Sequence, residues 1–187
     1  MPNCTTFLDV NARLGDKPAL IHPPESGTEY SFCALLKRVC RLSSCLIAHG
    51  IAAGDRVGIY LSPPSPEYLI WYFAIWRMGA VAVPFNNVLR ADEVAMLLED
   101  SGAACIVTDS SGNAEIETYV STGRITADVV ITDTPPSFEE ECRSVPFISR
   151  ARNCRPDDLC QLQYTSGTTG KQKGGHAHPR KLDGSDG

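Results

Sequence analysis

The residues best suited to chemistry lie in one short stretch near the end of the 187-residue chain, from Thr165 to Lys173. These positions hold two glycines, four hydroxyl residues and two lysines. Glycine has no Cβ, so backbone N–H groups in such a loop can approach an anion closely, and neighbouring hydroxyl groups can converge on it. The lysines add positive charge that suits phosphate. The chemistry that this composition favours is therefore phosphate binding.

The spacing of the glycines does not fit the common nucleotide-binding loop. In that loop a second glycine stands five positions after the first and is followed by Lys and then Ser or Thr. Five positions after Gly167 stands Gln172, and the glycine five positions after Gly170 is followed by His176. On spacing alone, a flexible Gly/Ser/Thr linker and a phosphate-binding loop explain the stretch equally well.

A loop that binds a ligand needs rigid elements to position it, and the preceding residues supply a candidate. Residues 159–164 alternate roughly between apolar and polar, as a half-buried strand does. Further strands are predicted at 18–22, 28–30, 55–61, 80–83, 103–107 and 129–131, and helices at 5–14, 32–49, 67–78, 91–100 and 113–120. This alternation predicts an α/β layered domain with a mainly parallel sheet and flanking helices.

Local signals support individual elements of this prediction. Ser31 is a good N-cap for the helix at 32–49, and Gly50 is placed to end that helix. In the helix at 91–100, the apolar residues expected to face the interior are Val94, Met96, Leu97 and Leu98. We therefore expect helices with one buried face on each side of the sheet.

Two Thr-Asp pairs, at 108–109 and 132–133, follow predicted strands. Ligands in parallel sheets bind at the carboxyl ends of strands, so these pairs are possible site residues. Ordinary strand-to-loop turns explain them better. The stretch at 134–156 is predicted to be irregular, and the acidic run at 139–141 within it is interpreted as a solvated connector and not as a metal site.

Composition excludes several classes of protein. The net charge of −5 offers no broad basic surface for nucleic acid. The longest apolar run, at 69–85, contains Arg77, Gly79 and Pro84, so we expect no transmembrane segment. The eight cysteines and the lack of a signal-peptide pattern indicate free thiols and a cytoplasmic protein. Cys154 and Cys160 with the histidines at 176 and 178 fit no usual zinc spacing.

The stretch at 164–174 reads Tyr-Thr-Ser-Gly-Thr-Thr-Gly-Lys-Gln-Lys-Gly. It resembles the signature of the adenylate-forming superfamily, which contains acyl- and aryl-CoA synthetases, firefly luciferase and peptide-synthetase adenylation domains. The family pattern is Tyr-Thr-Ser-Gly-Thr-Thr-Gly-x-Pro-Lys-Gly. The sequence departs from it at Gln172, where the family has proline, and again from Gly175 onward.

The resemblance extends upstream, because the segments at 15–20, 54–59 and 77–86 are similar to family segments in the expected order. It implies a truncated N-terminal subdomain of the adenylate-forming fold. We expect a partial N-terminal AMP-binding domain at 1–174 and a divergent, disordered tail at 175–187, without the strand and helix that follow in the family. Because the family's downstream motifs cannot be assigned, we expect an incomplete, inactive fragment without pyrophosphate exchange, prone to self-association through exposed core.

The resemblance also implies a reaction. A carboxylic acid attacks the α-phosphate of ATP, which carries Mg²⁺, and the acyl-adenylate formed then passes its acyl group to coenzyme A. The residues that match the ATP phosphate-binding loop are Thr165, Ser166, Gly167, Thr168, Thr169, Gly170 and Lys173. Lys171 occupies the variable position of the pattern. Two alternatives stay open, a non-catalytic nucleotide- or phosphate-binding remnant and a fragment of an amino-acid-activating adenylation domain.

Overall fold

A computed structural model describes residues 6–21, 29–61, 66–132, 140, 144–147, 151–155, 157–165 and 173–177. The helices are α1 (Phe7–Asn11), continued by a 3₁₀ turn (Ala12–Leu14), α2 (Phe32–Ala48), α3 (Pro66–Arg77), α4 (Ala91–Ser101) and α5 (Ser110–Ser121). The strands are β1 (Pro18–Ile21), β2 (Glu29–Ser31), β3 (Arg56–Tyr60), β4 (Val81–Pro84), β5 (Cys105–Thr108), β6 (Asp128–Ile131), β7 (Gln161–Thr165) and β8 (Lys173–Ala177). Helices and strands alternate as predicted.

The strands of the main sheet lie in the order β6-β5-β3-β4-β7-β8. The first five run parallel to one another, and β8 pairs antiparallel with β7 at the edge. Strands β1 and β2 form a separate antiparallel pair, as the predicted hairpin requires. The predicted α/β fold with a mainly parallel sheet is confirmed.

Apolar cores cover both faces of the sheet, as a parallel sheet requires. On one face, Val39 of α2 and Trp71 of α3 pack against Val57 and Ile59 of β3. On the other face, the buried residues of α4 and α5 pack against the alternate residues of the same strands. This alternation follows from the pleat, which turns successive side chains to opposite faces.

One residue expected in the core is exposed. Met96 of α4 is 64% exposed, whereas Val94, Leu97 and Leu98 are buried as predicted. Met96 lies two positions from both Val94 and Leu98, which is about 200° around the helix from each. It therefore faces away from the sheet, and its prediction as a core residue was wrong.

Side-chain caps set the starts of two helices. The hydroxyl of Ser31 accepts a hydrogen bond from the Ala34 N–H at 3.2 Å, which confirms Ser31 as the N-cap of α2. The carboxylate of Asp109 accepts one from the Gly112 N–H at 2.7 Å and caps α5. Helix α5 therefore begins three residues before the predicted position 113. Asp109 thus has a local structural role, in line with the interpretation of the pair at 108–109 as an ordinary strand-to-loop turn.

The connector between β6 and β7 packs partly on the domain. Arg41 of α2 donates a hydrogen bond to the Val145 carbonyl at 2.8 Å, and its guanidinium lies 5.6 Å from the centre of the Phe147 ring. The Arg152 N–H donates to the Arg77 carbonyl at 3.0 Å. These residues of the irregular stretch are therefore anchored to α2 and α3, whereas Glu140, the described residue of the acidic run, is exposed.

The regular pattern continues past Gly174. Strand β8 runs from Lys173 to Ala177 and crosses the predicted boundary between 174 and 175. The expectation that no strand follows the loop is therefore wrong. Residues 178–187 lie outside the described part of the chain, and so does the disorder predicted for them.

Candidate functional site

Strands β7 and β8 form a hairpin that closes the predicted phosphate loop. The register of this pair places Thr165 opposite Lys173 and Tyr164 opposite Gly174. The structure thus brings together the backbones of the first and last predicted site residues. Ser166, Gly167, Thr168, Thr169 and Gly170 belong to the connection 166–172, which lies outside the described residues. Their role as phosphate-binding residues stays a prediction.

The beginning of β7 is held firmly by the sheet and by α3. The Cys160 carbonyl accepts two hydrogen bonds at 2.9 Å, from the Ala82 N–H of β4 and from the Trp76 Nε1–H of α3. Leu162 is buried in the core beneath α4, and Gln163 is exposed. The predicted alternation of a half-buried strand is confirmed, and it positions the strand that leads into the loop.

The last described side chain before the loop is tied to α4. The Tyr164 hydroxyl donates a hydrogen bond to Oδ2 of Asp100 at 2.5 Å. Burial raises the pKa of Tyr164, and the hydrogen bond and the negative charge of Asp100 raise it further. The phenol therefore stays protonated as a donor. Sequence reasoning missed Asp100, because no local pattern links it to a residue 64 positions away.

A cavity of about 300 Å³ opens at the carboxyl edge of the sheet. Its lining comes from the ends of β3 and β5 and from the segment after β4, and consists of Tyr60, Leu61, Asn87, Val88, Leu89, Arg90, Asp109, Ser111, Gly112 and Glu115. The connection after β3 leads to β4, whereas the one after β5 leads the other way, to β6. Such a reversal between neighbouring strands creates the crevice in which open α/β sheets bind ligands.

Charged and polar groups surround this cavity. The Tyr60 hydroxyl donates to the Leu89 carbonyl at 2.9 Å. Burial raises the pKa of Tyr60, and the carboxylates of Glu115 and Asp109 raise it further. The Arg90 guanidinium lies 3.2 Å from a carboxylate oxygen of Asp92. The cavity can hold a polar ligand. Its lining residues directly follow the ends of strands, and this position is the sequence signal from which the cavity could have been predicted.

Glycine is required where α5 meets this cavity. A Cβ on Gly112 would lie 2.2 Å from Oγ1 of Thr108 and 3.1 Å from the Tyr60 ring. Real Cβ atoms essentially never approach a heavy atom to 2.2 Å, so the first turn of α5 sits against Thr108 at the end of β5 because residue 112 has no side chain.

The described part of the chain holds no group of three His, Cys, Asp or Glu residues arranged to bind a metal ion. The cysteines that the structure describes are free thiols, consistent with the prediction of free thiols. Among the described residues, no helix has the length and apolar character needed to cross a membrane.

The fold and the hairpin define a class of protein, a parallel α/β domain with a glycine- and hydroxyl-rich loop after one strand. The chain matches the model of the family described as AMP-binding enzyme over residues 7–178, so it belongs to that family. The predicted resemblance is confirmed, and the match reaches four residues past Gly174.

The chain is 36% identical over 148 residues to the feruloyl-CoA synthase of an Amycolatopsis species, covering 79% of this chain and 28% of the relative. It is 33% identical over 178 residues to the long-chain-fatty-acid–CoA ligase FadD13 of Mycobacterium tuberculosis, covering 93% and 34%. The inhibitor-bound crystal structure of the N-terminal domain of FACL13 from Mycobacterium tuberculosis superposes with a TM-score of 0.84 at 30% identity, covering 98% of this chain and 46% of that one. The chain thus spans about a third of the length of these curated relatives.

Proposed function

We propose that this chain supplies the ATP phosphate-binding part of an enzyme that activates a carboxylic acid as an acyl-adenylate and passes it to coenzyme A. The observation that carries the proposal is the hairpin closure of the family's signature loop, with Thr165 and Lys173 paired at the end of β7. The names of the relatives, a feruloyl-CoA synthase and a long-chain-fatty-acid–CoA ligase, support the same reaction class.

In this proposal the loop stabilises the charge that develops on the leaving pyrophosphate. Backbone N–H groups of Gly167 to Gly170 and the hydroxyls of Thr165, Ser166, Thr168 and Thr169 donate hydrogen bonds to phosphate oxygens, and the Lys173 ammonium adds a positive charge. Preorganised donors of this kind are the largest source of rate enhancement in many enzymes. The adenylate forms when a carboxylate oxygen of the acid bonds to the α-phosphorus and the bond from that phosphorus to pyrophosphate breaks.

We propose that Mg²⁺ arrives bound to ATP. Mg²⁺ is commonly held by substrate phosphates with only one or two protein carboxylates. The described residues fit this arrangement, because they hold no preformed metal-binding group. The ion neutralises phosphate charge, and the residues proposed to hold the phosphates around it are those of the signature loop.

The acid is proposed as a class only. The two relatives are named for a phenolic acid and a long-chain fatty acid, which differ greatly in shape, yet the chain is 36% and 33% identical to them. The shared part therefore supports a carboxylic acid substrate without selecting one.

Two further properties accompany the proposed function. The free thiols support a reducing, cytoplasmic location. We also propose that this chain self-associates through apolar core surface that is left exposed. A molar mass that rises with concentration in light scattering would support self-association, and a constant monomer mass would contradict it.

The proposal is tested by replacing one loop lysine at a time. A ligand that binds only the native state raises the thermal unfolding midpoint. Mg-ATP is therefore expected to raise the midpoint of the unchanged chain and of Lys171→Met, but not that of Lys173→Met, which lacks the proposed phosphate-binding lysine. Equal loss of the shift in both variants, or no shift in the unchanged chain, would contradict the assignment. This chain by itself is expected to show no exchange of labelled pyrophosphate into ATP with a fatty or phenolic acid, and measurable exchange would contradict the expectation of an inactive fragment.

A further inference from the structure

Strand β7 pairs with β4 at its beginning, where Gln161 lies opposite Ala82, and pairs with β8 along its length. In β4, the N–H groups of Val81 and Phe85 donate toward β3, to the carbonyls of Asp55 and Ile59, whereas the Ala82 N–H donates toward β7. Because the N–H groups of a strand alternate between its two neighbours, the next donor toward β7 would be residue 84. That residue is Pro84, which has no N–H. Beyond Gln161, β4 therefore offers β7 no further backbone donor before the strand ends.

The hydrogen bond between Tyr164 and Asp100 ties β7 beyond this gap. Tyr164 directly precedes Thr165, the residue whose backbone pairs with Lys173 across the hairpin. Asp100 lies in the last turn of α4, next to the buried Ser101, whose hydroxyl donates to the Leu98 carbonyl at 3.1 Å. The bond thus joins the end of the loop-bearing strand to a helix that the core holds in place.

The protonation states of the two groups fix which of them donates the hydrogen bond. The phenol is the donor and the carboxylate the acceptor, and the positive charge of Arg56, which lowers the pKa of Tyr164, is outweighed by burial and by Asp100. A phenol with its ordinary pKa is already protonated at neutral pH, and burial raises the pKa of Tyr164 further, so the donor is present throughout the neutral pH range. Hydrogen bonds to charged groups are stronger than those between neutral groups.

We infer that Tyr164 and Asp100 are positioning residues for the phosphate loop: their hydrogen bond holds the end of β7 on the side where β4 provides no backbone donor. This inference rests on the proposed function for its effect on ATP. Without the bond, the end of β7 samples more conformations in the free protein. Binding of phosphate must then offset a larger loss of conformational entropy, which weakens affinity.

Isothermal titration with Mg-ATP tests the effect on binding. Tyr164→Phe keeps the ring and removes the donor, and Asp100→Ala removes the acceptor. Each is expected to weaken Mg-ATP binding about three- to tenfold, as the loss of one such bond implies. The double variant is expected to bind as weakly as either single one, because both remove the same interaction. Asp100→Asn keeps an acceptor oxygen and is expected to restore binding to within about twofold.

Tyr119→Phe on α5 is the matched control and is expected to bind Mg-ATP like the unchanged chain. A merely structural role would lower the urea midpoint of the Tyr164→Phe variant without changing its affinity for Mg-ATP in the folded state. Affinities of Tyr164→Phe within twofold of the unchanged chain, or additive losses in the double variant, would overturn the inference.

Hydrogen exchange in the unliganded protein gives a readout that does not depend on ATP. The peptide covering 161–177 is expected to exchange faster in Tyr164→Phe than in the unchanged chain or in Tyr119→Phe. Unchanged exchange would overturn the positioning role even if ATP binds. If Tyr164→Phe exchanges faster but the unchanged chain binds no ATP, the hydrogen bond between Tyr164 and Asp100 holds β7 as inferred, and the proposed function is contradicted.

Discussion

The guanidinium of Arg77 donates two hydrogen bonds to the carboxylate of Asp9, from Nη1 to Oδ2 at 2.7 Å and from Nη2 to Oδ1 at 3.0 Å. Arg77 ends α3 and its side chain is 3% exposed, whereas the Asp9 side chain in α1 is 35% exposed. Helix α1 therefore supplies the carboxylate that neutralises the buried positive charge of Arg77. The pair fixes α1 against α3.

Replacing Asp9 by Ala is expected to lower the free energy of unfolding by about 2–4 kcal/mol, because the buried guanidinium would lose its counter-charge. Urea denaturation measures the change. Asp92→Ala is the control, since Asp92 pairs with Arg90 at the surface, and such pairs contribute about 0–1 kcal/mol. Equal effects of the two substitutions would show that burial of Arg77 does not matter.

Gly58 allows Phe85 to pack against the middle of β3. A Cβ at position 58 would lie 2.8 Å from Cε2 of Phe85 and 3.3 Å from Cδ2 of Leu98. Gly58→Ala is therefore expected to cost about 1–3 kcal/mol through overpacking. Combining it with Phe85→Leu should cost less than the sum of the two single changes in chemical denaturation, because the smaller ring-free side chain makes room. Simple additivity would argue against the steric explanation.

Burial, together with the negative charge of the nearby Asp128 carboxylate, raises the pKa of Cys105 to about 12. Its thiol is expected to resist iodoacetamide at pH 8, whereas the partly exposed Cys33 and Cys154 react first. Mass spectrometry of the alkylated peptides checks the order. Rapid modification of Cys105 in the folded protein would contradict it.

The same shift has a consequence for stability. The pKa of Cys105 in the folded state lies above its ordinary value of 9.0, so unfolding releases a proton once the pH exceeds that value. Its contribution to stability is fully present below pH 9 and is lost as the pH rises toward 12. Cys105→Ala should flatten the decline in unfolding free energy between pH 8 and pH 10.5, and an unchanged slope would contradict this.

Gln172 stands where the family pattern has proline. Gln172→Pro is expected to tighten Mg-ATP binding about two- to fivefold, because a fixed φ reduces the conformational entropy that the loop loses on binding. Gln172→Ala serves as the control, since it removes the amide without fixing φ. Titration calorimetry distinguishes the two, and equal or weaker binding by the proline variant would contradict the expectation.

Local patterns in the sequence predict most helices and strands of this fold, but not which strands lie next to each other in the sheet. Buried runs such as β3 and β5 follow directly from hydrophobic periodicity. The placement of β7 beside β4 depends on pairing between distant segments, which no local pattern contains. The same holds for the contact between Tyr164 and Asp100.

Two misassigned boundaries have local physical causes. Strand β8 contains Gly174, Gly175 and His176, which have little intrinsic preference for strands, and it forms because the edge of β7 supplies its hydrogen-bond partners. Helix α5 starts early because Asp109 caps it, an effect stronger than the low helix propensity of the following Ser, Ser and Gly residues. In both places an interaction with a partner overrides local preference.

Strand order also determines when the loop can be built as the chain is synthesised. Strands β3 to β6 follow one another within residues 56–131, but β7 reaches β4 only after residues 85–160 have been made. Until then, the β4 side of a nascent sheet is an open edge, and closing so long a connection is entropically slow. Open edges of this kind invite pairing with other chains. A newly made molecule therefore depends on β7 and β8 to cover the β4 edge against aggregation.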